Sequence, residues 1–426
     1  MKEKDPVIPV ASPRIQEADR RQLRLVTSDL EAMIPADHSV RAVWDFVKGL
    51  DLSSVYASIK AVEGGPGRAP IDPKILLSVW LQGTLDGVGS ARELERLCRY
   101  HVVYQWICGG VSVNYHTLSD FRSLSEDLLD ELLTQSVAVL ISEGVVDLKR
   151  VSQDGMHVRA FAGSKSFRRR RTLEEYHRLA RQQVTRLRKE LDTDPAASKR
   201  RQDAAQERAS RDRAQRVAKA LKQMPEVEKR KKSNNGKKKT EARVSTTDPD
   251  ARVMKMADGG FRPAFNIHMA TATKGTVIVA VDVNNDGNEA KMMEPLAEQM
   301  RERYGQTPEE LLADGGCVSL DNINTMSAKE PRCVVYGPIR ASRRGDRKPS
   351  DIRSTDTAAI AEWRVRMDTD QAKQIYKQRA ATAEWSNAQF RNHGLGQFLV
   401  RGFNKVRSVA LLHALTTNMT RHWALI

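Results

Sequence analysis

Two neighbouring runs decide the fold class: Phe265-Asn266-Ile267-His268-Met269-Ala270-Thr271-Ala272-Thr273 and, after Lys274-Gly275, Thr276-Val277-Ile278-Val279-Ala280-Val281-Asp282-Val283. The first alternates apolar and polar residues at period two. The second is a β-branched run of the kind found in buried strands. Working outward, Val151 to Val158, Leu311 to Ala313 and Arg332 to Ile339 are further strand candidates. Helical spacing follows in Met292, Met293, Leu296 and Met300, and again in the stretch from Tyr376 to Asn392. It returns from about Asn404 to Trp423, where Val406, Val409, Ala410, Leu412, Leu415 and Met419 share one face. This order predicts a mixed α/β sheet with helices on its faces.

Upstream of these strands, the pattern from about Asp19 to Val146 is helical. Asp72 precedes Pro73 as a cap, Ser90 and Glu93 form a capping box, and Thr117 can cap a further helix. Short helices joined by tight turns, such as Asp86-Gly87-Val88-Gly89, are compatible with a helix-turn-helix arrangement.

Charge is concentrated in one segment. The chain of 426 residues carries a formal net charge of +16, and residues 165–243 alone account for it, so the rest is neutral. Leu173, Tyr176, Ala180, Val184, Leu187 and Leu191 recur at spacings of three and four. Ala214, Val217, Leu221 and Met224 repeat the pattern after Asp192-Thr193-Asp194-Pro195. Two helices folded back as a coiled-coil hairpin are expected, followed by a flexible basic tether from Lys229 to Lys239. The sign bias favours a phosphate partner. Arg168, Arg169, Arg170, Arg171, Lys237, Lys238 and Lys239 are the candidate DNA contacts here. The expected organisation is a disordered tail (1–16), a helical DNA-binding domain (17–143), a catalytic domain in two pieces (144–164 and 245–426) and the basic insertion and linker (165–244).

Other classes are disfavoured. No apolar run approaches the ~18 residues a membrane-spanning helix needs, and the first residues lack a signal-peptide core. The four cysteines form no C-x-x-C pair. Cys98 and Cys108 with His101 and His116 fit no common zinc spacing. A reduced, cytoplasmic protein is expected.

Three carboxylates carry the chemistry. Asp154 follows an apolar run and precedes Gly155. Asp314 does the same in Leu311-Leu312-Ala313-Asp314-Gly315-Gly316. A glycine after each lets the chain turn away at the strand end, so that the carboxylate projects beyond the sheet. Glu384 lies in a helical stretch with Tyr376, Arg379 and Arg391. At about 100° per residue, Glu384 and Arg391 fall nearly on one face, two turns apart. Two strand-end aspartates and a helix glutamate can hold two divalent cations on a phosphodiester. Such ions supply a nucleophilic oxygen and stabilise the phosphate and leaving oxygen. Oxygen ligands suit Mg²⁺, with Mn²⁺ as a substitute. His157, three residues past Asp154, could touch the scissile phosphate. Asp248, Asp250, Asp258 and Asp282 read as turn or strand-end residues, and Trp385 and Phe390 as core.

With these residues in view, the chain resembles a DDE transposase of a bacterial insertion sequence over almost all its length. The resemblance rests on Gln153-Asp154-Gly155, on Asp314-Gly315-Gly316 and on the order Tyr376, Arg379, Glu384, Arg391. Ser245-Thr246-Thr247-Asp248-Pro249-Asp250-Ala251 and Gln397-Phe398-Leu399-Val400-Arg401-Gly402 are similar to further segments of the family. It departs at Arg391, where many members have Lys, and at Cys317, where an aromatic is common. The resemblance implies a ribonuclease-H-like core and Asp154, Asp314 and Glu384 as metal-binding catalytic residues with two Mg²⁺. It also implies recognition of terminal inverted repeats, hydrolysis at element ends and attack of a 3′-hydroxyl on target DNA. Tyr376, Arg379 and Arg391 would hold the DNA backbone. At least a dimer would act on double-stranded DNA in the bacterial cytoplasm, associated with the nucleoid. Rival readings are a structure-selective nuclease on the same core and a transposase-derived DNA-binding regulator without activity.

Overall fold

A computed structural model describes residues 29–61, 69–124, 126–193, 200–234, 241–287, 289–340 and 348–425. Lys237, Lys238, Lys239 and the tail at 1–16 lie outside the described residues.

The described chain opens with helices α1 (Ser39–Gly49), α2 (Ser53–Ser58), α3 (Pro73–Leu85), α4 (Ala91–Tyr100), α5 (Val102–Cys108), α6 (Tyr115–Leu124) and α7 (Glu126–Ser142). Asp72 caps α3 by accepting from Lys74 N at 2.8 Å, and Ser90 caps α4. Asn114 rather than Thr117 caps α6, because its Oδ1 takes the Thr117 amide at 3.0 Å. Helix α3 is apolar all round and forms the centre of this layer. Its Trp80 indole donates to Leu118 O at 3.0 Å.

The strands are β1 (Arg150–Arg159), β2 (Phe167–Arg168), β3 (Val244–Ser245), β4 (Arg252–Lys255), β5 (Phe261–Ala272), β6 (Val277–Asn284), β7 (Glu310–Ala313) and β8 (Val334–Tyr336). The main sheet runs β6-β5-β1-β7-β8, with β4 on the early part of β5. β5 is antiparallel to β1 and β6, whereas β1, β7 and β8 are parallel. Sequence and structure agree on the type and place of β1, β5, β6, β7 and β8. The two-residue pair β2–β3 and short β4 carry too little periodicity to be read in advance.

β2 and β3 close the root of a hairpin formed by α8 (Arg170–Thr193) and α9 (Arg200–Asn234). Leu173, Val217, Ala220 and Met224 make its buried seam. α9 continues through Asn234, so Lys229 to Asn234 is helical rather than a tether. The hairpin is anchored by the Asp248–Asp250 turn. Lys219 Nζ reaches Asp250 Oδ2 at 2.6 Å, Gln223 Nε2 reaches Asp250 Oδ1 at 2.6 Å, and the Phe403 amide donates to Asp250 Oδ2 at 3.3 Å. Asp248 takes the Gly402 amide at 3.3 Å. Both aspartates are buried, so they are structural acids and not surface turn residues.

The remaining helices are α10 (Met293–Tyr304), α11 (Leu320–Ser327), α12 (Ala358–Asp368), α13 (Asp370–Asn392) and α14 (Phe403–Leu425). The spacing predicts an amphipathic last helix, but α14 buries Ser408, His413, Thr416, Thr417 and Asn418 as well. It runs between the first helical layer and the sheet, so it has no solvent face along its middle. Asn418 accepts from Ile278 N at 2.9 Å and donates to Ile278 O at 2.8 Å, completing the edge strand β6 with a side chain. One continuous apolar core therefore includes Leu77 and Leu129 of the helical layer, Leu411 of α14 and Ile278 of the sheet. Among the described residues, no helix is long and apolar enough to cross a membrane.

Arg407 joins these parts by charge. It reaches Glu126 at 2.9 Å, Asp130 at 3.1 Å and Asp282 at 3.4 Å, so one guanidinium ties α7, β6 and α14. Removing it leaves the half-buried carboxylates of Glu126 and Asp282 without this cation, while Asp130 keeps Arg303. Arg407→Met is expected to destabilise the protein by roughly 2–4 kcal/mol. A chemical-denaturation midpoint unchanged from wild type would refute this role.

His268 and His413 are buried, and burial pushes their imidazoles down to about 4 and about 3. The folded state keeps both neutral, whereas the unfolded chain takes up protons below about 6.5. Their contribution is thus full above that pH and lost as pH falls toward 4. The urea midpoint is expected to drop between pH 7 and 4.5, and His413→Gln to flatten the drop.

Candidate active site

Parallel pairing between β1 and β7 ends at Gln153↔Ala313. The next residue on each chain segment is an aspartate. Asp314 lies just past the end of β7, as the sequence predicts, whereas Asp154 is in mid-strand and not at a strand end, because β1 runs on to Arg159 and pairs Asp154 with Met269 of β5. Two unrelated stretches of chain thus deliver their carboxylates side by side. Helix α13 lies over them. Arg379 Nη2 is 3.1 Å from Asp154 Oδ1 and 4.0 Å from Asp314 Oδ2. Asn387 Nδ2 donates to Asp154 Oδ2 at 2.8 Å. Asp314 Oδ1 accepts the amides of Gly316 and Cys317, both at 2.9 Å, which fixes the turn that leaves β7. The helix is held to the sheet by Ser386 Oγ on Thr271 Oγ1 at 2.8 Å and by Arg150 on Gln378 at 2.9 Å.

A third carboxylate meets this pair, and it is not Glu384. It is Glu289, on a single 3-10 turn (Glu289–Met292) that leads into α10. Glu289, Asp314 and Cys317 bring ligand atoms within 4.8 Å of one another. Burial pushes the Glu289 carboxyl above its ordinary range, and the charges of Asp314 and Asp154 push it further. Burial raises Asp154 as well, against the pull of the Arg379 guanidinium. Tyr376 is half-buried beside them, and burial lifts its phenol.

Glu384 is exposed and makes no hydrogen bond or ion pair among the described residues. It lies on α13 between Arg379 and Asn387 but on the flank of the helix, sharing an exposed stripe with Arg391. Asn387 was legible in principle: positions 379, 383 and 387 step by four along one helix face. Glu289 was not, because only the lateral pairing β6-β5-β1 brings the turn after β6 beside β1.

The outlying candidates are spread along the hairpin root. Arg169 pairs with Glu241 at 2.8 Å and Arg170 with Glu228 at 2.8 Å. These ion pairs are exposed, contribute little, and exchange readily for phosphate. Arg168 stacks 6.0 Å from the Tyr176 ring centre, and Arg171 is exposed. His157 Nδ1 is 2.8 Å from Lys255 O, which turns the ring toward β4.

The donor set suits a hard divalent cation. Asp154, Asp314 and Glu289 offer carboxylate oxygens whose mutual repulsion a cation would relieve. Cys317 is a poor partner for such an ion. It is fully buried, and burial drives its thiol far above the range in which a thiolate forms.

Residues 28–124 match a family described as a transposase domain (DUF772), and residues 239–419 match the transposase DDE domain. The chain is a DDE-type transposase of an insertion sequence. The second match spans Asp314 and the whole of α13, while Asp154 falls between the two matched regions. No curated protein and no solved structure matches the chain. The family brings with it DNA as partner, nucleotidyl transfer as the general activity and divalent metals as cofactors.

In this transposase Arg379 is the cation nearest the aspartate pair. Arg379→Met removes it and raises Asp154 further, so that a higher pH is needed to ionise the carboxyl. Binding of Mn²⁺, followed by titration against pH, is expected to shift to higher pH. A profile superimposable on wild type would show that Arg379 does not set the charge balance of the centre.

Proposed function

We propose that this transposase cuts DNA at the ends of its element and joins the freed 3′-hydroxyl ends to target DNA, using a ribonuclease-H-like core. The observation that carries the reading is the side-by-side position of Asp154 and Asp314, each one residue past the last parallel pair of β1 and β7, beneath α13. The strand order β6-β5-β1-β7-β8, antiparallel through the first three and parallel through the last three, supports that core.

Asp154, Asp314 and Glu384 are the proposed metal-holding residues. Two Mg²⁺, when bound, supply charge stabilisation at the attacking and leaving oxygens of an in-line displacement. Asp154 and Asp314 offer rigid ligands, because the sheet and the turn after β7 fix their backbones. Glu384 stands exposed on the flank of α13, one turn before Asn387, and would have to swing toward the aspartates to share an ion with them. Arg391 on the same stripe faces outward and is placed to take a phosphate of the strand being cut. Tyr376 and Arg379 line the helix face above the aspartates. The basic hairpin clamps DNA or a second protomer, and the N-terminal helices bind the terminal inverted repeats. Joining two ends requires at least two protomers. The protein acts where bacterial DNA is, in the cytoplasm at the nucleoid.

The test is cleavage of linear DNA carrying the element ends in Mg²⁺. Asp154→Asn, Asp314→Asn and Glu384→Gln are each expected to lower strand cleavage by roughly 10²-fold or more while retaining DNA binding. Wild-type protein given a pre-cut 3′-hydroxyl end is expected to insert it into a plasmid. Full cleavage by any one of the three variants would remove that residue from the centre, and cleavage without insertion would leave a nuclease.

A further inference from the structure

We infer that Glu289 is a fourth carboxylate of the active centre, a metal ligand placed between strand β1 at Gly155 and the turn that follows Asp314. The inference rests on the reading of Asp154 and Asp314 given above. Its first support is steric. A Cβ added to Gly155 would stand 2.9 Å from Glu289 Oε1, and one added to Gly316 would stand 2.7 Å from Glu289 Oε2. The carboxylate is therefore wedged between the residue after Asp154 and the second residue after Asp314, with one oxygen against strand β1 and the other against the turn after β7. The glycines leave room for a carboxylate as well as for a turn.

A second observation points to the same space. Asn266 is fully buried, its side-chain amide finds no well-aligned hydrogen bond, and the polar group it faces is the Glu289 carboxylate. Its Oδ1 lies 3.2 Å from the position of the Gly155 Cβ, beside Glu289 Oε1. Two acceptor oxygens thus converge on one point next to Asp154. Glu289 has no lysine or arginine partner among the described residues. A half-buried acid beside two aspartates is costly without a cation to offset it. A purely architectural residue at this position would be better served by a neutral side chain.

The experiment measures Mn²⁺ affinity of the full chain by the loss of the free-ion paramagnetic resonance signal, alongside DNA gel shift and strand cleavage. Glu289→Gln is expected to raise the Mn²⁺ dissociation constant by about tenfold or more, and to lower cleavage, with the gel shift unchanged. Gly155→Ala, whose added carbon meets Glu289 and Asn266 rather than Asp314, crowds the carboxylate without removing it and is expected to weaken Mn²⁺ in the same direction. Glu289→Asp is expected to fall between Gln and wild type. Asp154→Asn serves as the reference. Wild-type Mn²⁺ affinity in Glu289→Gln, with affinity lost in Asp154→Asn, would overturn the role of Glu289 and leave the aspartate pair standing. Wild-type affinity in Asp154→Asn would overturn the pair itself, and this inference with it. If Glu289→Gln does not fold, Gly155→Ala and Glu289→Asp decide alone, and wild-type affinity in both overturns the inference.

Discussion

Four residues of parallel pairing between β1 and β7 are the constraint on which the site depends. Because the last pair is Gln153↔Ala313, the residues that follow are neighbours by geometry and not by affinity. Two like charges so close repel, and neither strand would hold them for its own sake. The pairing is enforced from behind by apolar burial: Val151, Leu311 and Leu312 are shielded from solvent, each contributing about 2 kcal/mol by burial. The sheet thus stabilises an arrangement that its own electrostatics oppose, as functional sites commonly require.

Compensation arrives from α13. Arg379 and Asn387, two turns apart on one face, occupy both oxygens of Asp154, and Ser386 locks the helix to Thr271. Asp314 relies instead on the backbone amides of Gly316 and Cys317. The two aspartates are therefore held by different means: one by side chains of a separate helix, the other by its own turn. Cys317, which sequence comparison leaves uninterpreted, is a buried wall of that turn, with its sulfur 3.9 Å from Glu289 Oε2.

Much of the fold was legible because local periodicity and tertiary placement agree. The alternation in Phe265 to Thr273 and the β-branched run after it became the central and edge strands β5 and β6. Agreement failed where a segment has two neighbours. Seen alone, α14 shows one apolar stripe, but the helical layer and the sheet each cover a side of it, so Thr416, Thr417 and Asn418 are buried and bonded. Asp248 and Asp250 resemble turn formers in sequence and prove to be buried anchors, because their partners Lys219, Gln223, Gly402 and Phe403 are remote in the chain. The site divides in the same way. Asp314 was legible from a strand end and its glycines, which are local signals. The same signal at Asp154 misled, since Gly155 continues the strand on the β5 side instead of ending it. The contact made by Asn387 follows from helical spacing. Glu289 has no local signal at all, since its approach depends on lateral strand order. For Glu384, helical spacing gave the shared stripe with Arg391 correctly, while the side of the helix facing the aspartates is the one that carries Arg379.

The anchoring of the hairpin has a mechanical consequence. Asp250 Oδ2 takes both Lys219 of α9 and the first amide of α14, and Asp250 O takes Asn285 Nδ2 at 2.7 Å. A bending force applied to the tip of α8 and α9 acts on a long lever arm whose base is the β2–β3 pair, the Arg252–Gln223 contact and this carboxylate. Torque is passed to the first turn of α14 and to the loop after β6, the same loop that ends in Glu289. Load borne by the arm would then be felt within a few residues of the reaction centre, without passing through the rigid strands between them.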